Sequence, residues 1–357
     1  MDGTALIFCE GAFGSPDGKT ANGLVRFGSR YDILGVIDSE NSGRLAGDVI
    51  TGVTKPIPVF SSLHQAIEAL RRRPDYLVIG LNPRDGRMPP QHRKVIRDAL
   101  KSGISVDSAL KPYLVDDAEF PGLTMLSSAK IRSVGYPKPL AQLRSYTGEI
   151  DGVGAARIAV VGTHSVVGKR TTTVRLSEAL AGEGVRTVMI GTGETSWFQG
   201  IPWTVILDSI VHKYVAGELE GVIVDAWRES QPEMMILEGQ GSVLNPSNPS
   251  GLELLTTARP CAVVMQHAPT HSRLDPEDRF GAKSLDRHIR TAELLSGSPV
   301  VAITLNPEGS SPEYFAEALG TFRKQFGLLV TDVIADGTAA LTGVVKSAVR
   351  GSMGAGG

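Results

Sequence analysis

At 357 residues the chain is long for a single domain, and two are expected. Its 41% hydrophobic and 21% charged residues supply ample material for a core. A net charge of −2 gives no footing for a polyanionic nucleic-acid partner. Cys9 and Cys261 are too few and too far apart for a disulfide framework or a zinc site. No run reaches the roughly 18 apolar residues that a membrane helix needs, so no membrane partner is expected. The opening MDGTALIFCEGAFG has neither a basic n-region nor a long apolar run, so no signal peptide is expected. These readings together place the chain in a reducing cytoplasm.

The first part alternates short apolar runs with helical patterns. Strands are expected at 4–11, 31–39, 56–62 and 75–82, helices at 63–73 and 92–103, and a further apolar run at 104–110. Strand and helix units of this length predict a parallel sheet covered on both faces. This is a Rossmann-like domain, expected over 1–130. Its first turn lacks the G-x-G-x-x-G fingerprint, so a dinucleotide site there is weakly supported. Asp38 and Ser39 end the second strand, where such folds often contact a ribose. A domain that has lost its ligand fits equally well.

The rhythm breaks after 114, and a Gly- and Pro-rich linker is expected over 131–155. The second domain is expected over 156–350. Its strands are predicted at 156–163, 185–193, 234–242, 261–269, 299–307 and 328–336. Its helices are predicted at 171–183, 207–229, 253–258, 285–295 and 311–327. The tail, 351–357, is expected to be disordered. The apolar helix at 207–229 suggests a homo-oligomer. The fold class is therefore α/β, with two parallel-sheet domains, Rossmann-like and then, on the glycine loop GTHSVVGK that follows the strand at 156–163, P-loop NTPase-like.

The strongest chemical signal is GTHSVVGKRTTT at 162–173, between a predicted strand and a predicted helix. Glycines there let backbone N–H groups close around phosphate oxygens, and the helix start and a lysine add positive charge. Gly162, Thr163, His164, Val167, Gly168, Lys169, Arg170, Thr171 and Thr172 are the candidate phosphate-binding residues. The spacing departs from the standard loop, which has four residues between its glycines and a hydroxyl after the lysine. Here five residues separate Gly162 from Gly168, Arg170 follows Lys169, and Thr171 comes one place late. A guanidinium cannot ligate Mg²⁺, so no metal site is expected unless Thr171 or Thr172 substitutes.

Three further stretches end strands on the same predicted edge. GTGETSWFQG contributes Gly191, Gly193 and Glu194, the last a candidate substrate contact. LEGQG places Glu238 where an acid usually faces phosphates, with Gln240 beside it as a second substrate contact. His267 ends CAVVMQH, and Arg273 follows as a possible carboxylate clamp.

GTHSVVGKRTT resembles the loop of dethiobiotin synthetase and its relatives. The wider order, with GKTA-N-G-L, VIDS, PKPL, VGKRTT, GTG, EGQGS and a final ITLN, is similar to one two-domain family over nearly the whole chain. Its characterised members resemble D-glutamate N-acetyltransferases that work with a dehydrogenase-like partner in D-amino-acid catabolism. His164 stands where relatives often carry Asp, and Glu194 where they often carry Gln. The resemblance implies transfer of acetyl from acetyl-CoA to the amino group of an acidic amino acid, D-glutamate. Coenzyme A brings a diphosphate and a 3′-phosphate, which the loop, Lys169 and Arg170 could hold without metal. A general base is needed for the amine, with Glu238 the first candidate and His267 the second. Two rival readings are a Mg-ATP-dependent ligase or kinase of the dethiobiotin synthetase type, and a nucleotide-binding regulatory protein without chemistry.

Overall fold

The computed structural model describes residues 1–83, 85–125, 127–245, 248–271 and 282–354. The chain divides into two compact units, Met1–Pro137 with Glu194–Pro202, and Lys138–Gly193 with Trp203–Gly357.

The first unit contains β1 (Gly3–Phe8), α1 (Lys19–Phe27), β2 (Tyr31–Ile37), α2 (Ala46–Val49), β3 (Val59–Phe60), α3 (Leu63–Leu70), β4 (Tyr76–Ile79), α4 (Arg93–Lys101), β5 (Ser105–Ser108), α5 (Phe120–Thr124) and β6 (Ile131–Ser133). The six strands pair in parallel in the order β3-β2-β1-β4-β5-β6, which is that of dinucleotide-binding folds. The acid that would meet a ribose in such a fold is otherwise engaged. Asp38 is fully buried and accepts from Gly11 N at 3.0 Å, Glu40 N at 3.2 Å and Asn41 Nδ2 at 2.8 Å. It pins the first turn to the end of β2.

The second unit contains β7 (Ala156–Gly162), α6 (Lys169–Gly182), β8 (Thr187–Gly191), then β9 (Trp203–Thr204). Between β8 and β9 runs α7 (Glu194–Gln199), which belongs to the first unit. There Thr195 and Thr20 hydroxyls lie 2.9 Å apart, Gln199 Nε2 donates to Gly23 O, and Arg30 stacks over the Trp197 ring at 3.9 Å. Gly23 permits the approach, since a Cβ would meet Thr195 Cγ2 at 2.9 Å.

The second unit continues with α8 (Val215–Ser230), β10 (Met234–Glu238), α9 (Ser250–Ala258), β11 (Ala262–His267), α10 (Ala282–Ser296), β12 (Val300–Leu305), α11 (Pro312–Phe326), β13 (Leu329–Thr331) and α12 (Ala339–Gly354). Its seven strands are parallel in the order β13-β12-β11-β7-β10-β8-β9, with β7 central. Alternate residues of β7 face opposite layers. Ile158 and Val160 pack with Leu176 and Leu180 of α6 and with Leu341 and Val345 of α12. Ala159 and Val161 pack with Leu219 and Ile223 of α8, Leu255 of α9 and Leu285 of α10. Burying a side chain such as Leu176 stabilises the fold by about 1.5–3 kcal/mol.

Three expectations are corrected. The boundary between the units, Pro137/Lys138, falls inside the predicted linker, but the stretch 131–155 is built into the units on either side of it. Ile131–Ser133 forms the edge strand β6, and 138–150 is stitched to two buried glutamates of α8. Glu218 accepts from Lys138 Nζ at 2.6 Å and Arg144 N at 2.8 Å. Glu220 accepts from Thr147 N at 2.7 Å and Ile150 N at 3.1 Å. Burial pushes the Glu220 carboxyl up. The Thr147 and Ile150 amides lead a set of hydrogen bonds that more than offsets this, and its pKa lies below the ordinary value. The helix expected at 207–229 starts only at Val215. Ile210 is extended, a conformation that suits a β-branched side chain, and Val211 is likewise non-helical. Its apolar positions line the core, which removes them as grounds for a dimer face. The tail expected to be disordered from 351 is helical as far as Gly354. Among the described residues no helix is long and apolar enough to cross a membrane.

Candidate functional site

The loop after β7 emerges between the C-terminal ends of its two neighbours. Glu238 of β10 pairs across from Val160, and Gln266 of β11 across from Gly162, so an acid flanks the loop on one side and Gln266–His267 on the other. Such a crevice at strand C-termini is where open α/β sheets bind ligands. Gly162 has no room for a side chain, because a Cβ would lie 2.9 Å from Val167 Cγ2 and 3.0 Å from Lys169 Cγ and Cδ. Gly168 turns the chain into α6 at φ +105°, a conformation disfavoured for other residues. Val166, exposed at φ +61°, is a β-branched residue held in the left-handed region, a strain of about 1–3 kcal/mol. Strain of this kind clusters at ligand sites.

Lys169 is 7% exposed, and its ammonium donates to His164 O at 2.8 Å and Gly241 O at 2.7 Å. It joins the loop to the turn after β10. Gly239 lets that turn pass close to β7, since a Cβ there would meet Val160 O at 2.5 Å. Arg170 Nη2 donates to Glu238 Oε1 at 2.5 Å. The other Glu238 oxygen accepts from Thr192 N at 3.3 Å, and Thr192 Oγ1 donates to Glu238 O at 2.9 Å. Glu238 is 2% exposed, so its carboxylate is sheltered from solvent, while Arg170 is half-buried. Arg170 Nε is buried and finds no hydrogen-bond partner among the described residues.

The threonines after the lysine divide. Thr172 Oγ1 donates to Gln266 Oε1 at 2.6 Å, an oxygen that also accepts from Thr304 Oγ1 at 2.6 Å. Thr173 Oγ1 donates to Lys169 O. Thr171 is half-buried. Gln240 Nε2 donates to Asp208 Oδ2 at 2.8 Å, and Gly193 faces both Gln240 Oε1 and Arg170 Nη2. Gly191 ends β8, where its carbonyl accepts from Val205 N. Glu194 opens α7 in the first unit. Arg273 lies outside the described residues.

Two histidines meet at one hydroxyl. His267 is fully buried, its ring edge-on to Phe322, and its Nδ1 lies 2.9 Å from Thr163 Oγ1. His164 Nδ1 lies 3.1 Å from the same oxygen. A third histidine escaped the sequence reading. His288 comes from α10, with its ring centroid 6.3 Å from that of His164 and Nε2 3.1 Å from Ser242 Oγ. Its Nδ1 bonds Ser284 O at 2.7 Å. Burial holds its pKa down, Arg287 acts in the same direction and the Ser284 carbonyl opposes, so the neutral form is favoured. No motif surrounds His288, and only the packing of α10 brings it to the loop.

The arrangement suits an anion. Backbone N–H groups open α6, and Lys169 and Arg170 converge beside them. It does not suit a divalent cation at the usual place, because a guanidinium stands where the hydroxyl ligand would be and holds the strand-end acid.

The chain belongs to the DUF1611 family. Its residues 144–342 match the domain of unknown function DUF1611_C, a P-loop domain, and residues 39–135 match DUF1611_N, a Rossmann-like domain. A crystal structure of a DUF1611 family protein from Anabaena variabilis is similar, with a TM-score of 0.83 and 25% identity over 97% of this chain and 99% of that one. Two curated relatives are named D-glutamate N-acetyltransferase. The one from Tritonibacter scottomollicae is 25% identical over 280 residues, 74% of this chain and 79% of that protein. The one from a Pseudoalteromonas species is 25% identical over 280 residues, 76% and 81% respectively.

Proposed function

We propose that the chain is an N-acetyltransferase that moves acetyl from acetyl-CoA to the amino group of an acidic amino acid, D-glutamate. The observation that carries this reading is the 2.5 Å pair between Arg170 and Glu238. It fills with a side-chain cation the position where a P-loop hydrolase keeps Mg²⁺. A loop built this way favours a polyphosphate held for its shape and charge rather than one to be cleaved. The diphosphate and 3′-phosphate of coenzyme A meet that description, and the names of the two relatives support it.

In this reading Gly162–Thr172 cradle phosphate, with Lys169 and Arg170 supplying charge. The acceptor amine loses a proton as its nitrogen bonds to the acetyl carbon, and the C–S bond breaks to release the coenzyme thiol. Glu238 is the group we assign to take that proton and to pass it to the departing thiolate. An anion that draws the Arg170 guanidinium toward itself also loosens its hold on this carboxylate. The N–H groups at Gly193 and Gly241 are the donors assigned to the thioester oxyanion. The product, an N-acetylated amino acid, would pass to a dehydrogenase-like partner.

Calorimetric titration of metal-free protein tests the reading. Acetyl-CoA is expected to bind without Mg²⁺, and D-glutamate is expected to be acetylated in the presence of EDTA. Binding of ATP that requires Mg²⁺, with no response to acetyl-CoA, would instead favour the ligase, with Thr171 as its metal ligand.

A further inference from the structure

His164, Thr163 and His267 form a continuous hydrogen-bonded row, Nδ1 to Oγ1 at 3.1 Å and Oγ1 to Nδ1 at 2.9 Å. One end is half-buried on the phosphate loop and the other is fully buried at the end of β11. A threonine hydroxyl carries one proton, so it can donate to only one ring at a time. The ring that does not receive it must itself donate. At least one Nδ1 atom therefore bears hydrogen, and where the hydroxyl proton lies within the row the other bears a lone pair.

The surroundings choose the direction. Lys169 places its ammonium 2.8 Å from the His164 carbonyl, and α6 points its positive end at the loop. Both set positive charge beside the loop, and burial lowers the pKa of the neighbouring His288. An anion in the loop would be repelled by a lone pair on His164 Nε2 and attracted by an N–H there. If Nε2 bears the hydrogen, Nδ1 is the acceptor, Thr163 donates to it, and His267 Nδ1–H donates to Thr163.

We propose that His164 is a further anion-binding residue, which donates Nε2–H to a phosphate oxygen in the loop, and that His267 and Thr163 are positioning residues that lock it in that tautomer. This rests on the loop being a phosphate site, and it moves His267 from proton acceptor to support. In that tautomer the ligand contact is a neutral hydrogen-bond donor.

The test is ¹⁵N NMR of the imidazole rings of the full-length protein, with inorganic pyrophosphate as probe. His267 should be the Nδ1–H tautomer and His164 the Nε2–H tautomer, and only His164 should shift on adding pyrophosphate. His164→Ala should weaken pyrophosphate binding by about ten- to a hundredfold, as for a lost hydrogen bond to a charged group. Thr163→Val should erase the tautomer preference of His164 and weaken binding several-fold, while Thr163→Ser keeps both near wild type. A Nδ1–H tautomer at His164, or full affinity in Thr163→Val judged folded by its spectrum, would overturn the proposal. Pyrophosphate binding with the expected tautomers but no affinity for acetyl-CoA would leave it standing and sink the acetyltransferase reading instead.

Discussion

Arg170 and Glu238 stand 68 residues apart in sequence and meet at 2.5 Å. The pair joins the first turn of α6 to the end of β10, with the Glu238 carboxylate buried and the Arg170 side chain 20% exposed. Removing one partner of such a pair leaves a buried charge without compensation, at a cost of about 3–5 kcal/mol. Arg170→Ala should therefore lower thermal stability and weaken acetyl-CoA binding at least tenfold. Arg170→Lys, a point charge without the guanidinium fork, should recover part of the stability and little of the affinity. Thermal melts and calorimetry on the two variants read these effects separately.

Glu238→Gln keeps the shape and one acceptor oxygen while removing the basicity. Turnover should fall by about two to four orders of magnitude, the usual contribution of a general base. The dissociation constant for acetyl-CoA should change little. A variant that keeps full rate would show that the proton goes elsewhere.

Gly168 can be tested without touching a side chain. Its φ of +105° is costly for any residue with a Cβ, and an added methyl would meet Gln266 Nε2 at 3.3 Å. Gly168→Ala should lose about 1–3 kcal/mol of stability. It should also loosen anion binding, because the N–H groups that open α6 are aimed by this turn. Denaturant melts and pyrophosphate titration would report the two losses.

Glu220 predicts a pH dependence. Its folded pKa lies below the ordinary value of 4.5, so its contribution to stability is complete above that value. The contribution fades as the pH falls through 4.5 toward the lowered folded value. Glu220→Gln should be destabilised at pH 7 by about 1–3 kcal/mol, as expected for weakened hydrogen bonds to a charge. The gap between the two proteins should narrow on acidification, which melting temperatures from pH 7 down to 4 would reveal.

Much of the architecture was legible because parallel strands buried on both faces read as plain apolar runs. IAVV before Gly162 and MMIL before Glu238 announced strands and, with them, the edge where chemistry sits. The ends were less legible. The strand predicted to reach Asp336 stops at Thr331, since Asp332 folds back to accept from Ile334 N. α12 was missed because its glycines and small residues carry little periodic signal, yet Leu341 and Val345 suffice to dock it on the sheet. α7 gave no sign of belonging to the first unit, since that depends on Thr20, Gly23 and Arg30, distant in sequence. The Gly- and Pro-rich 131–155 reads only as a linker because composition says nothing about the partners waiting in α8.

Those partners also decide where the chain tolerates being cut. A C-terminal fragment begun at Ala156 would strip Glu218 and Glu220 of the donors that compensate them and leave two carboxylates stranded against the core. One begun at Lys138 would keep every one of those bonds. The same stitching should make 139–155 resistant to proteases despite its composition, so the segment behaves as an outer layer of the P-loop domain rather than as a tether.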